Sequence, residues 1–344
     1  MKKKSSFTKH AGIATSVLAL CSGANIAASH AMASTHEQSA PFASANRNPF
    51  VQIYGLPAAQ SGHIQSPQQL TTSLQWEIAN SFTEDSVANE AVFIDGETQR
   101  TNINIRYGLN EKIEIAVDIP YLQHDGGSLD GFIDDWHDFW ALPDGNRPDF
   151  PADQIEYSYQ QNGETLYSLS RSDEGIGDIS FSLGYQLAIT DTRQWALRTA
   201  IKLPTGDADS LLGSESTDVS LGLHMSDQSL LQDYSLSFHA SAGLLWMDEG
   251  EVLNRLREDW VLYGSSTLSW QATSAVNLKL QLDANTAFYD SDLKQLGDDS
   301  LQLSVGGSIR LSDNWLLDLA VIEDIQVSTS PDVIFHIGIK ALQW

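Results

Sequence analysis

The fold is decided by residues 276–288, VNLKLQLDANTAF, in which apolar and polar side chains alternate one by one. Val276, Leu278 and Leu280 share one phase, and polar residues stand between them. Strict alternation of this length is typical of a β-strand with one apolar and one polar face. Similar segments recur about every 20 to 30 residues from Leu70 to the end of the chain. The repetition predicts an all-β protein of about twelve strands.

The first 33 residues have the composition of a cleaved secretion signal. Four lysines precede an apolar stretch, and Ala31-Met32-Ala33 supplies a small-x-small cleavage site. The alternative of a lipoprotein would need a small residue directly before Cys21, where the chain has Leu20. Because Cys21 is the only cysteine, cleavage near Ala33 leaves a mature protein without disulfides. We therefore expect an exported protein.

Composition narrows the class of protein further. No segment after the signal offers about 18 uninterrupted apolar residues, so the sequence predicts no transmembrane helix. The mean hydropathy of −0.22 fits a barrel with a polar lumen. The net charge is −26, and beyond residue 33 the chain has 15 basic and 45 acidic residues. Such an acidic excess argues against nucleic acid as a partner. It fits either solubility in a salty medium or attraction of cations.

The chain divides into three parts. Residues 1–33 are the signal, and residues 34–67 show no sustained period, so they form either a periplasmic N-terminal segment or a plug inside the barrel. The alternation then defines a barrel domain over residues 68–344. Connections after even-numbered strands are short and those after odd-numbered strands are longer, as expected for periplasmic turns and extracellular loops. We therefore predict a transmembrane antiparallel β-barrel with periplasmic N- and C-termini.

A soluble sandwich or lipocalin-like barrel is the competing interpretation, because alternation alone does not say which face is inside. The export signal, the alternating connection lengths and the charges and glycines on the polar phase favour the membrane. The predicted location is the bacterial outer membrane. Its lipid and lipopolysaccharide, the barrel-assembly machinery and a small solute are the expected partners. Trimeric porins are usually larger, so we expect a monomer.

Several short motifs punctuate the mature chain: Asn48-Pro49 through Gly55-Leu56-Pro57, Tyr107-Gly108-Leu109, Ile119-Pro120-Tyr121, the stretch 139–147, Gly175-Ile176-Gly177-Asp178, and Lys202-Leu203-Pro204-Thr205-Gly206-Asp207. Together they resemble a Gram-negative family known as domain of unknown function 3187. The last two also resemble elements of porin-like barrels linked to aromatic-compound degradation. The resemblance covers nearly all of the mature chain and implies a porin-like outer-membrane barrel. It implies no established activity and no catalytic residues.

The long loop after the third strand, residues 123–174, is the least ordinary segment, with twelve acidic and two basic residues. Loops of this length are usually functional or disordered. The spacing of its apolar residues predicts a short helix over 129–142. Its aromatic side chains would form either a ledge or lid at the mouth of the barrel, or a cap that only stabilises the barrel: Phe132, Trp136, Phe139 and Trp140. Three residues of this helix are spaced so that they could bind one divalent cation: Asp134, His137 and Asp138. The alternative is that they belong to a solvated acidic face of the helix.

The polar phase of the strands carries charges of both signs that we expect in the lumen: Glu77, Arg100, Arg106, Glu114, Asp118, Asp178, Arg198, Lys202, Lys279, Asp283, Arg310, Asp318 and Lys340. Such side chains either line a water-filled passage and set its selectivity, or pair across the lumen and close it. A barrel of about twelve strands lies between the filled eight-stranded and the open sixteen-stranded cases. Size therefore does not decide between these alternatives.

The predicted function is passive passage or uptake of a small solute, either apolar or cationic. A structural or adhesive surface barrel with a closed lumen is the first alternative. The second is a hydrolase at the barrel rim that acts on lipid or peptide, since His224 and His239 accompany many serines. However, no Gly-x-Ser-x-Gly element singles out a nucleophile. We therefore predict no enzyme and no cofactor, although a divalent cation at the outer loops fits the acidic composition.

Overall fold

The computed structural model describes residues 37–127, 154–325 and 329–342. Over these residues the chain forms fifteen strands and, beyond residue 230, the short helices α1 and α2. Their bounds are β1 (Leu70–Val87), β2 (Glu90–Asn110), β3 (Ile113–Asp125), β4 (Glu156–Gln161), β5 (Glu164–Leu169), β6 (Asp173–Ile176), β7 (Ser180–Ile189), β8 (Arg193–Lys202), β9 (Asp218–Asp227), α1 (Leu231–Tyr234), β10 (Leu236–Met247), β11 (Trp260–Gln271), β12 (Val276–Asn285), α2 (Lys294–Gly297), β13 (Ser300–Ser312), β14 (Trp315–Asp324) and β15 (Val333–Leu342).

Twelve of these strands, β1 to β3 and β7 to β15, form a closed antiparallel barrel. β1 pairs with both β2 and β15, so the twelve-stranded wall has no free edge. The remaining strands lie beyond this wall: β4 and β5 form a hairpin on an extension of β2, and β6 pairs with the last residues of β3. The predicted architecture of about twelve antiparallel strands is confirmed.

The connections differ in length between the two ends of the barrel. We call one end the turn end, because the connections after β2, β7, β11 and β13 there are short, and the other the loop end. In place of a longer connection after the first strand, β1 and β2 are joined by Ala88 and Asn89 alone. Both strands continue beyond the wall as a hairpin on which β4 packs. This hairpin lies beyond the closed wall, and the alternation that reveals the other strands is weak there.

The apolar phase of the strands faces outward. On β12, Leu278 and Leu280 are each 47% exposed, whereas Lys279 and Gln281 are 3% and 0% exposed. β11, whose sequence alternation is the weakest, follows the same rule, with Leu268 outward at 43% exposure. A soluble barrel buries its apolar face, so this arrangement contradicts the soluble alternative. It is the arrangement of a barrel whose outer surface contacts lipid. In the part of the chain that the structure covers, no helix is both long and apolar enough to span a membrane.

The main apolar core lies at the loop end, inside the ring of loops. It joins residues near positions 50–54 to the hairpins β1–β2 and β4–β5 and to the loops that follow β8, β10 and β12. Its largest fully buried members are aromatic or branched: Phe50, Ile53, Ile94, Tyr157, Tyr159, Leu169, Leu211, Phe288 and Tyr289. The loop end is therefore capped by packed side chains, while the barrel wall below it is polar inside.

Candidate functional site: the lumen and its plug segment

Residues 37–66, which we call the plug segment, run through the lumen from the turn end to the loop end and back. Their first limb begins at the turn end of β13 and β15, beside Arg310 and Lys340. The apex, residues 48–56, reaches the loops that follow β10 and β12. The second limb returns along β8 and β9 and meets the turn end at Gly108 before β1 begins. The segment therefore contacts the wall along the whole length of the lumen.

At the turn end, the plug segment is held by charged side chains of the wall. Lys340 Nζ donates a hydrogen bond to Glu37 Oε2 at 2.8 Å, and Arg310 donates to Gln38 Oε1 at 2.9 Å. Burial raises the pKa of Glu37, but the charge and hydrogen bond of Lys340, together with the charges of Arg106 and His63, outweigh this effect, so that the pKa falls to about 2. Glu37 is therefore ionised and paired at any ordinary pH.

The first limb is bound largely through its backbone. Gln281 accepts a hydrogen bond from Phe42 N at 2.8 Å and donates one to Phe42 O at 3.2 Å, so its side chain replaces a strand partner. Higher up, Arg47 pairs with Glu77 at 2.6 Å, and His336 contacts the other oxygen of the same carboxylate at 2.9 Å. Glu77 is thus saturated by two partners.

The apex is a tight turn whose residue types explain its shape. Asn48 Oδ1 accepts a hydrogen bond from Phe50 N, and Asn48 O accepts from both Val51 N and Gln52 N, each at 2.9 Å. Pro49 stands where no backbone donor is needed. This turn reverses the chain and directs Phe50 into the apolar core, where Tyr289 donates to its carbonyl at 2.7 Å.

Beside the apex, Lys202 joins three segments of the loop end. Its Nζ donates to Asp178 at 2.6 Å and to the carbonyl of Ile53 at 3.1 Å, and it pairs with Asp218 at 3.1 Å. Asp218 also accepts from Gly55 N at 2.7 Å. All three charged groups are buried. The apex is therefore fixed to β8 and β9 by buried polar contacts as well as by apolar packing.

The second limb is bound by a buried cluster around Arg198 and by further contacts with β7 and β9. Arg198 pairs with Glu114 at 2.8 Å and donates to the carbonyls of Ser61 and His63. Glu114 in turn accepts from Gln65 N at 2.7 Å. As on the first limb, wall side chains bind the backbone of the plug segment.

The residues predicted to line the lumen are all buried or half-buried. Most of them form ion pairs: Glu77 with Arg47, Glu114 with Arg106 and Arg198, Asp178 with Lys202, Lys279 with Asp318, and Lys340 with Glu37. Others bond amides: Asp118 with Asn102 and Asn104, Asp283 with Gln281, and Arg310 with Gln38. Arg100 differs, because its Nε is buried and has no hydrogen-bond partner in the described residues.

A cavity of about 180 Å³ lies between the plug segment and the wall of β1, β2, β3, β7 and β8. Its lining includes Arg100, Arg106 and Asp118 on the wall and Arg47 on the plug segment. Side chains at its turn-end side remain partly exposed, since Arg106 keeps 20% of its surface accessible. The lumen is therefore occupied by the plug segment without being filled.

The candidates of the long loop are not part of this site as described. The aromatic ledge residues and the three cation candidates lie in residues 128–153, outside the described residues: Phe132, Asp134, Trp136, His137, Asp138, Phe139 and Trp140. The signal segment also lies outside them. Over residues 37–127, 154–325 and 329–342, no group of three histidine, cysteine or acidic side chains is placed to hold a metal ion.

Comparison with known proteins places the chain in a family. A family model described as "Protein of unknown function (DUF3187)" matches residues 16–341. The chain belongs to the DUF3187 family. The resemblance drawn from its sequence motifs is therefore confirmed. No curated protein matches the sequence of this DUF3187 chain.

Among solved structures, the DUF3187 chain is similar to the crystal structure of an outer membrane channel from Pseudomonas putida F1. The TM-score is 0.51 at 11% identity, over 85% of this chain and 98% of that one. At this identity the likeness shows the fold alone. The NanC porin has a TM-score of 0.46 at 6% identity, over 79% and 100% of the two chains. The CymD monoaromatic hydrocarbon channel has a TM-score of 0.39 at 11% identity, over 88% of this chain and 94% of that one.

Three of the motifs of this DUF3187 chain meet in space around the apex. The first, from Asn48 to Pro57, forms the apex, and two others supply Asp178 and Lys202. Asp178, predicted as a charge of the lumen, accepts hydrogen bonds from the backbone N–H groups of Thr205 and Gly206. Its ion pair with Lys202 was not expected. The partners Glu37, Asp218, Gln281 and His336 were missed as well, because contacts between segments far apart in sequence leave no periodic signal.

Proposed function

We propose that this DUF3187 protein is a passive channel of the bacterial outer membrane whose lumen is closed by its own plug segment. In this proposal the chain is exported by its signal, acts as a monomer, has both termini in the periplasm and passes a small solute. One observation carries the proposal: the plug segment is bound to a polar wall through hydrogen bonds and ion pairs, with a cavity of about 180 Å³ beside it. Polar contacts can be exchanged for water, so such a segment can leave or shift.

A closed structural barrel is the second candidate, and the apolar core at the loop end favours it. Four residues of the apex are buried in that core: Phe50, Val51, Ile53 and Tyr54. Opening at the loop end would expose these side chains, at a cost of roughly 1.5–3 kcal/mol for each large one. A channel must therefore open by movement of the limbs or of the loops around the apex.

A rim hydrolase gains little support from the histidines of the lumen. Ser226 Oγ and His239 Nδ1 lie 2.8 Å apart, which is the spacing of a nucleophile and its base. Both residues are buried. The backbone N–H of Gly62 donates to the same hydroxyl at 2.8 Å, so the plug segment covers the pair. We assign the pair to binding of the plug segment.

The channel proposal is tested by single-channel recording in planar bilayers. Three forms of the mature protein are compared: the intact chain, a form without residues 34–67, and Gly62→Val. A Cβ atom at Gly62 would lie 2.7 Å from the backbone nitrogen of Ser226, so a side chain there displaces the second limb. We expect rare or no steps from the intact chain and frequent steps from both altered forms.

The control is Ala58→Val, which adds similar bulk to the same limb where it borders the cavity. We expect it to behave like the intact chain. Folding of every form is checked by heat-dependent electrophoretic migration and circular dichroism. If the altered forms fold and insert but remain silent, the channel proposal fails and the closed structural barrel replaces it.

A further inference from the structure

We propose that the cavity beside the plug segment contains a binding site for a small monocarboxylate, formed by the inward row of β2. This row consists of alternate residues of the strand, whose side chains all line the cavity: Arg100, Asn102, Asn104 and Arg106. The row is about 20 Å long at the usual rise of a strand. The binding site itself does not depend on the proposed channel, because it is present with the plug segment in place. Only the role of the bound molecule as a transported solute rests on the proposed function.

The first argument is that Arg100 forms no ion pair within the described residues, although the charges of Glu77, Asp118 and Asp178 are near enough to act on it. Its cross-strand neighbour on β1 is Glu77. Both oxygens of that carboxylate are already used, one by Arg47 at 2.6 Å and the other by His336 at 2.9 Å. The Nε of Arg100 is buried without a hydrogen-bond partner. A buried donor without an acceptor is costly, and a bound carboxylate would supply two acceptors in the geometry that a guanidinium prefers.

The second argument is that Arg106 shares its carboxylate. Glu114 lies 2.8 Å from Arg198 but 3.5 Å from Arg106, whose other contact is the neutral side chain of Gln60 at 3.1 Å. Two guanidinium groups therefore divide one negative charge. This leaves a surplus of one positive charge near the turn end of the cavity.

The remaining charges of the cavity restrict where the anion would lie. Asp118 faces the row, and one of its oxygens accepts hydrogen bonds from both Asn102 and Asn104 at about 3 Å. At the loop end, Lys202 lies between Asp178 and Asp218, which leaves a surplus of negative charge there. Counted over the whole row, Arg100 and the positive charge that Glu114 leaves unmatched are offset by Asp118, so one positive charge remains. Arg100 carries it, at the end of the row away from the turn end. A monocarboxylate matches it better than a dicarboxylate.

Size and access are consistent with such a ligand. An apolar cavity of about 150 Å³ accepts a molecule as large as benzene, and this cavity measures about 180 Å³. The partial exposure of Arg106 and of Lys340, 20% and 18%, places the turn-end end of the row next to solvent. A short-chain monocarboxylate can therefore reach the row from the turn end.

The test uses three probes of similar size and different charge: butyrate, butyramide and butylammonium. Binding of each to the full mature protein in a non-ionic detergent is measured by ligand-observed NMR titration at neutral pH and low salt. We expect butyrate to bind at least about tenfold more tightly than butyramide, and butylammonium to bind most weakly. Arg100→Gln is expected to remove this preference. Arg193→Gln, which makes the same charge change at an exposed ion pair, is expected to retain it.

Equal binding of butyrate and butyramide would overturn the inference, as would a preference for butylammonium. A preference for butyrate that survives in Arg100→Gln would place the anion elsewhere and would also overturn it. If Arg100→Gln does not fold, Asn102→Asp provides the same test, because a carboxylate at the next inward position of β2 would compete with the ligand for Arg100. Because the titration requires no open pore, selective binding by a protein that is silent in bilayers would retain the site and reject the channel. Conduction in bilayers without selective binding of butyrate would support the channel and reject the binding site.

Discussion

At the scale of single residues, a lumen packed with polar side chains depends on positions where a side chain is absent. Gly222 on β9 is such a position. The ring of Tyr263, two strands away, lies over it, and a Cβ at residue 222 would stand 2.6 Å from the tyrosine hydroxyl. The second contact, to His224 Nε2, would be 3.0 Å long. The glycine therefore provides space for one particular inward aromatic ring.

We predict that Gly222→Ala destabilises the barrel by about 1–3 kcal/mol, which is the usual cost of overpacking. The measurement is equilibrium unfolding in urea from lipid vesicles. Because the nearest obstacle is the hydroxyl group, the same substitution made in Tyr263→Phe is expected to cost less. The two sites would then show an interaction energy within about 0.5–3 kcal/mol. Additive effects of the two substitutions would contradict this account of the glycine.

At the scale of elements, the strands of the barrel wall were predictable, whereas the path of the plug segment and the strands β4 to β6 within the predicted long loop were not. The strands of the wall contact lipid on one side and polar groups on the other, so each leaves a period-two pattern, even β11 with its weak alternation. The plug segment is bound through its backbone, by Gln281, Arg198 and Lys202 acting on carbonyls or N–H groups. Backbone contacts impose no pattern on side chains. The sequence therefore located the inward charges by phase but could not pair them.

The attachment of the plug segment at the turn end has a predictable pH dependence. The pKa of Glu37 falls from 4.5 to about 2, because burial is outweighed by Lys340 together with Arg106 and His63. Since the folded-state pKa is the lower one, this ion pair stabilises the attachment fully above pH 4.5. The contribution is lost as the pH falls toward 2. The closed form is therefore expected to be insensitive to pH between neutrality and about pH 5 at this contact.

The check is a titration of the Glu37 carboxylate by ¹³C NMR, with the resonance assigned by Glu37→Gln. In Lys340→Met burial is opposed only by the weaker effects of Arg106 and His63, so the pKa of Glu37 is expected to rise well above 2. Lys340→Arg retains the charge and is expected to retain a lowered pKa. A Glu37 that titrates near its ordinary value in the unaltered protein would show that the contact does not form in solution.

At the scale of the whole molecule, the acidic composition and the character of the lumen are separate properties. Eight of the fifteen basic residues beyond position 33 lie in the lumen: Arg47, Arg100, Arg106, Arg198, Lys202, Lys279, Arg310 and Lys340. Their partners are a similar number of carboxylates, so most of the negative excess lies outside the lumen. The net charge of the chain therefore describes its surface and its loops, and it is no guide to the charge of the solute.

The same separation of faces gives the last prediction, which concerns the medium around the barrel. Leu280 lies outward at the middle of β12, and its cross-strand neighbours Leu268 and Val305 are also exposed. If this band lies in lipid, Leu280→Arg should destabilise folding into vesicles by about 2–4 kcal/mol, whereas Leu311→Arg, at the turn end of β13, should cost only about 0–1 kcal/mol. The free energies are measured by urea titration of folding into lipid vesicles. Equal and small costs at both positions would mean that depth in a bilayer has no effect, and the transmembrane interpretation of the outward apolar face would fail.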